Sequence, residues 1–76
     1  MVRAYVMIKA HTGEADRLRG EMTAIEGIER AHIVAGDVDL VAKLEADTPG
    51  TVKEIAADEF HAIDGIESTQ TYIGVN

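Results

Sequence analysis

From Val2 to Ala10 the chain alternates, with Ala4, Val6 and Ile8 on one side and Tyr5, Met7 and Lys9 on the other; this is the period of a half-buried strand. After Thr12-Gly13-Glu14 the period changes. Ala15, Leu18, Met22 and Ile25 recur at helical spacing and predict a helix with one buried stripe, stopped by Gly27. A second strand is expected over Ile28–Ala35, with Ala31, Ile33 and Ala35 on one face and Arg30, His32 and Val34 on the other, before Gly36-Asp37 breaks the run. Val38 to Glu45 resumes the alternation through Val38, Leu40, Ala42 and Leu44, so these two runs read as a hairpin. Asp47-Thr48 followed by Pro49 suits a cap and then a first helical position. The helix that follows would bury Val52, Ile55, Ala56, Phe60 and Ile63 and end at Gly65. A last strand, Ile66–Ile73, is expected to turn Ile66 and Tyr72 one way and Thr69, Thr71 and Ile73 the other.

The resulting order is βαββαβ, and its halves are alike: Ala24-Ile25-Glu26-Gly27-Ile28-Glu29 returns as Ala62-Ile63-Asp64-Gly65-Ile66-Glu67, an offset of 38 (62 − 24) that also relates Gly36 to Gly74. Two right-handed βαβ crossovers interleave into one sheet. The expectation is an α+β, ferredoxin-like single domain over residues 1–76, with a four-stranded antiparallel sheet and both helices on one face. The other face would carry Tyr5, Met7, Lys9, His32, Val34 and Val41, an apolar surface that a second copy would cover.

Size points the same way. A chain of 76 residues with 46% hydrophobic content hides only about 60% of its unfolded surface, and domains this small are often stabilised by disulfides, metals or oligomerisation. There is no Cys, which removes disulfides and thiolate metal sites and leaves assembly as the favoured route.

Fourteen Asp and Glu against seven Lys and Arg give a formal charge of −7, the wrong sign for direct nucleic-acid binding or for an anionic membrane surface. No apolar run approaches the roughly 20 residues needed to span a bilayer, and Met1-Val2-Arg3-Ala4-Tyr5-Val6 does not read as a signal peptide, so a cytoplasmic location is expected. The acidity suits a solvated surface in a salty, halophilic cytoplasm; a cationic partner is the other reading.

Candidate chemistry is sparse. His11, His32 and His61 are not spaced to meet on one strand or helix turn, so no metal is expected. No phosphate loop or nucleophile context is present, Ser68 is the only serine, and no base, orienting group and oxyanion site assemble around His32 or Asp39. The more informative stretch is Gly36-Asp37-Val38-Asp39. A carboxylate there suits an ammonium group, and free N–H groups of the turn suit a carboxylate, which together describe an amino acid. Asp37 is also an ordinary turn former and Asp39 an ordinary solvated strand residue, so local physics leaves both readings open.

The run Ala31-His32-Ile33-Val34-Ala35-Gly36-Asp37-Val38-Asp39-Leu40-Val41-Ala42-Lys43, with the closing Ile63-Asp64-Gly65-Ile66-Glu67-Ser68-Thr69-Gln70-Thr71, resembles the effector-binding domain of the Lrp/AsnC regulators. The resemblance covers nearly the whole chain. It implies dimers formed through the open sheet faces, assembly into rings, often octamers, and amino-acid binding between neighbouring dimers, with no cofactor. Gly36, Asp37, Val38 and Asp39 match the family's effector-binding turn, and Thr69 and Thr71 its closing strand. The chain begins at the first strand, without the family's helix-turn-helix domain, so a stand-alone form is expected, one that senses an amino acid and acts on transcription through full-length relatives. Two other readings stand beside it: a small dimeric α+β-barrel enzyme using His32 or Tyr5, and a purely structural assembly unit.

Overall fold

The computed structural model describes residues 1–75. Strand β1 (Val2–Ala10) leads through helix α1 (Ala15–Thr23) to β2 (Ile28–Ile33); β3 (Leu40–Ala46) leads through α2 (Pro49–Lys53) and a π-helical segment, Glu54–Glu59, to β4 (Ile66–Ile73). The sheet runs β2-β3-β1-β4, with antiparallel neighbours throughout. This is the expected ferredoxin-like α+β arrangement.

Ala4, Val6 and Ile8 of β1 and Leu40, Ala42 and Leu44 of β3 turn towards the helices and are fully buried, together with Leu18, Met22 and Phe60. Thr48 caps α2 by accepting the Thr51 N–H at 3.2 Å, and Pro49 opens the helix. Beyond Lys53 the chain does not keep its 3.6-residue turn. The Phe60 N–H donates to the Ile55 carbonyl at 3.0 Å, a five-residue step, and the wider turn still buries both Ile55 and Phe60. No helix among the described residues is long and apolar enough to cross a membrane.

Two strand expectations need correction. The hairpin arms are shorter than the alternation suggested: β2 ends at Ile33, β3 starts at Leu40, and the residues between form an open connection because Asp39 is bonded to β1. Ile33 pairs with Leu40 on the helix side, yet it lies at the sheet edge and is 46% exposed. In β4, Ala10 pairs with Ile66 and Lys9 with Ser68, which leaves Glu67 as an extra residue. The bulge puts Ile66 on the same side as Thr69, Thr71 and Ile73, against the core, and not with Tyr72. The first half has a matching irregularity at Glu29, between Ile28 and Arg30.

The open face is less apolar than the alternation implied. Tyr5 lies between its register partners Lys43 and Tyr72, and Met7 between Val41 and Gln70. Arg3, Lys9, Arg30 and Lys43, four of the seven Lys and Arg residues, stand on this face, while the helical layer carries Glu14, Asp16, Glu21, Glu54, Asp58 and Glu59.

Candidate functional site

The connection from Val34 to Asp39 is held at its two ends. The Val34 N–H donates to the Asp39 carbonyl, and the Asp39 N–H donates to the Ile8 carbonyl, both at 2.9 Å. The Asp39 carboxylate accepts the Ala10 N–H at 2.8 Å, at the point where the β1–β4 register shifts. Asp39 is therefore partly committed to the fold. Gly36 and Asp37 are exposed, and among the described residues the backbone N–H groups of Ala35, Gly36, Asp37 and Val38 have no partner within the chain. A side chain at position 36 would meet open space. The loop thus presents a free carboxylate and several free N–H donors to its surroundings, the pattern that suits a zwitterion.

Thr69 and Thr71 lie elsewhere. They project from the helix side of β4 into a cavity of about 340 Å³ beneath the second helix. Val52, Ala56, Ala57 and Ile73 give it apolar walls, and Lys53 stands on its lining. His61 completes the polar side, with Nε2 at 3.5 Å from the Thr69 hydroxyl. Within one chain the structure does not bring residues 36–39 into this cavity. The two groups flank Ile8, whose backbone binds Asp39 on one side and whose register partner on the other is Thr69.

The three histidines are dispersed. His11 is exposed beyond the end of β1 and its N–H donates to the Gly65 carbonyl at 2.8 Å, His32 stands exposed on the open face, and His61 borders the cavity. Among the described residues no group of three or more His, Cys, Asp or Glu side chains could hold a metal ion. Sequence reasoning missed Lys53, Ala57 and His61 as neighbours of Thr69 and Thr71. The internal repeat carries a signal for Ala57 alone: the offset of 38 (62 − 24) relates Arg19 to Ala57 and Ala31 to Thr69.

A small α+β domain with an exposed acidic turn and a compact cavity has the form of a ligand-binding module, and the comparisons identify which kind. The family model for the Lrp/AsnC ligand binding domain matches residues 3–76, and the chain belongs to that family, which is regulatory and not enzymatic. A hypothetical protein from Pyrococcus horikoshii superposes with a TM-score of 0.92 at 24% identity, over 100% of this chain and 92% of that one. E. coli AsnC gives 0.90 at 16% identity, over 99% of this chain and 51% of its own. A transcriptional regulator from Neisseria meningitidis in complex with L-Met gives 0.84 at 9% identity, over 99% and 50%. These structures share the fold. A search of curated protein sequences gave no match.

Proposed function

We propose that this domain binds a free amino acid and reports its presence to transcription by assembling with full-length regulators of its family in the cytoplasm. The observation that carries the reading is the family match, which spans residues 3–76. The Neisseria regulator that shares the fold was captured with an amino acid, L-Met. The 36–39 turn supports the same chemistry. Its unpaired N–H groups suit the ligand carboxylate, and exposed Asp37 suits the ammonium group. Asp39 shapes the turn through its bond to Ala10 and keeps one carboxylate oxygen for the ligand. Thr69 and Thr71 serve the ligand from a neighbouring copy, since within one chain they are apart from the turn.

In this reading two copies meet through the open sheet face around Tyr5, Met7 and Val41, and dimers build a ring, an octamer in the commonest family arrangement. The acidic helical layer stays outward and keeps the assembly soluble in high salt. Nothing in the reading requires a cofactor or contact with nucleic acid.

The test is light scattering after size exclusion in high salt, with and without a panel of amino acids, on the natural chain and on Asp37→Ala. A ring whose mass or stability responds to one amino acid, and which loses that response in the variant, is the expected result. A dimer indifferent to every amino acid overturns it and leaves a structural assembly unit.

A further inference from the structure

Arg30 and Lys43 are register partners across β2 and β3. Both stand on the open face of the sheet, since their neighbours Ala31 and Ala42 are buried on the helix side. Like charges placed directly opposite each other destabilise a pair of strands, and a chain with 14 Asp and Glu against seven Lys and Arg has no shortage of carboxylates that would force two cations together. The row continues across the sheet, because Lys43 is also the register partner of Tyr5. One row on, His32 lies opposite Val41. Tyr5, Arg30, His32, Val41 and Lys43, together with Glu29, line a groove of about 410 Å³. The protein's own carboxylates match only part of its charge. Glu29 approaches Lys43 at 3.7 Å, with both side chains open to solvent, a contact of a kind that contributes little. Arg30 forms no ion pair among the described residues.

We propose that this groove binds a small dianion, a compact molecule carrying one phosphate group or two carboxylates. The Arg30 guanidinium offers paired N–H donors that match two oxygens of such a group, Lys43 adds a compact point charge, and His32 adds a ring N–H. A dianion neutralises both members of the opposed pair. A lone carboxylate neutralises one, and Glu29 already supplies that much. Tyr5 and Val41 are half-buried and give the groove an apolar floor against which a short hydrocarbon body can lie. The volume lies at the lower end of the ~300–1,000 Å³ typical of small-molecule sites, and a long polyanion would meet the repulsion of a chain of formal charge −7. The groove is apart from the 36–39 turn and from the cavity under the second helix, so the proposal does not depend on the amino-acid reading. Where two copies meet through this face, a bound dianion offsets the repulsion between their Arg30–Lys43 pairs, and binding and association favour each other.

Amide NMR spectra of the full chain test the site, with inorganic phosphate, succinate and acetate titrated at one mildly alkaline pH and one ionic strength set by KCl. The expected result is saturable shifts centred on Arg30, His32, Val41 and Lys43, with phosphate or succinate binding about tenfold or more tightly than acetate. Whichever of the two binds better then names the class, phosphate ester or dicarboxylate. Arg30→Gln and Lys43→Gln should each weaken binding by about tenfold or more in a protein of native circular dichroism, and either one suffices should the other fail to fold. Lys9→Gln, which removes a charge from the same face outside the groove, should leave the affinity unchanged. Equal weakening by Lys9→Gln would reduce the effect to the general charge of the face and overturn the site. Shifts centred elsewhere, an equal response to acetate, or no saturable response at all would overturn it too, the last including the case in which a second copy fills the groove.

Discussion

The carboxylate of Asp39 accepts the backbone N–H of Ala10 at 2.8 Å across 29 residues of sequence. The β1–β3 register ends at Ile8 opposite Leu40, so past that pair the Ala10 N–H is met by a side-chain carboxylate in place of a backbone carbonyl. The bond is partly buried, and removing the acceptor leaves a donor with reduced access to water. Asp39→Ala is therefore expected to cost about 1–3 kcal/mol, seen as a lower midpoint in urea unfolding with an unchanged slope. Asp39→Asn keeps a carbonyl acceptor and should recover most of the loss. Equal destabilisation by both substitutions would remove the hydrogen bond as the cause.

Gly65 and Gly20 predict opposite outcomes for the same substitution. Gly65 has φ +101°, and a Cβ there would lie 2.6 Å from the Arg17 guanidinium, so Gly65→Ala should destabilise by about 1–3 kcal/mol. Gly20 lies within α1, and a Cβ there would have nothing within 4 Å. Gly20→Ala should stabilise by about 0.8–1 kcal/mol. Thermal unfolding of the pair, read against the natural chain, checks both signs.

Salt should stabilise the domain. At a formal charge of −7 the compact state carries self-repulsion, and raising the ionic strength from 0.1 to 1 M shortens the screening length from about 10 to about 3 Å. The expected observation is a higher melting temperature in 1 M KCl than in 0.1 M. A flat or falling temperature would show that favourable ion pairs, such as Arg17 with Glu14 and Glu21, outweigh the repulsion.

Tyr72 is 49% exposed and faces Tyr5 across the β1–β4 ladder on the open side of the sheet. If two copies meet there, this pair lies inside the interface, where aromatic residues tend to dominate binding energy. Tyr72→Ala should leave monomer secondary structure unchanged and weaken self-association by about tenfold or more in sedimentation equilibrium, in line with a loss of roughly 1.4 kcal/mol or more. An unaltered dissociation constant would move the interface elsewhere.

The element order and most of the core were legible because they rest on short-range periodicity. Leu18 and Met22 in α1, and Leu40, Ala42 and Leu44 in β3, are buried as their spacing requires. The π-helical turn was not legible, since Val52, Ile55, Ala56 and Phe60 satisfy a 3.6-residue stripe almost as well. Nor was the face of Ile66, because an inserted strand residue at Glu67 leaves the local pattern plausible in either register. The sequence reading found the acidic turn as a candidate site but missed that Asp39 is bonded to Ala10, a contact no local rule contains. The cavity was hidden for a similar reason: Lys53, Ala57 and His61 meet Thr69 and Thr71 only once the second helix packs on β4.

The division of charge between the two layers makes the molecule an electric dipole as well as an anion. Arg3, Lys9, Arg30 and Lys43, offset in part by Glu29 and Glu45, mark the positive pole, and the carboxylates of the helical layer, offset in part by Arg17, Arg19 and Lys53, the negative one. On a support bearing quaternary ammonium groups the domain would settle helices down, with the sheet turned towards the liquid, whereas at a formal charge of −7 a sulfonated support would repel it. Immobilised on the first kind of sensor chip, the domain would offer an incoming molecule its sheet and not its helices.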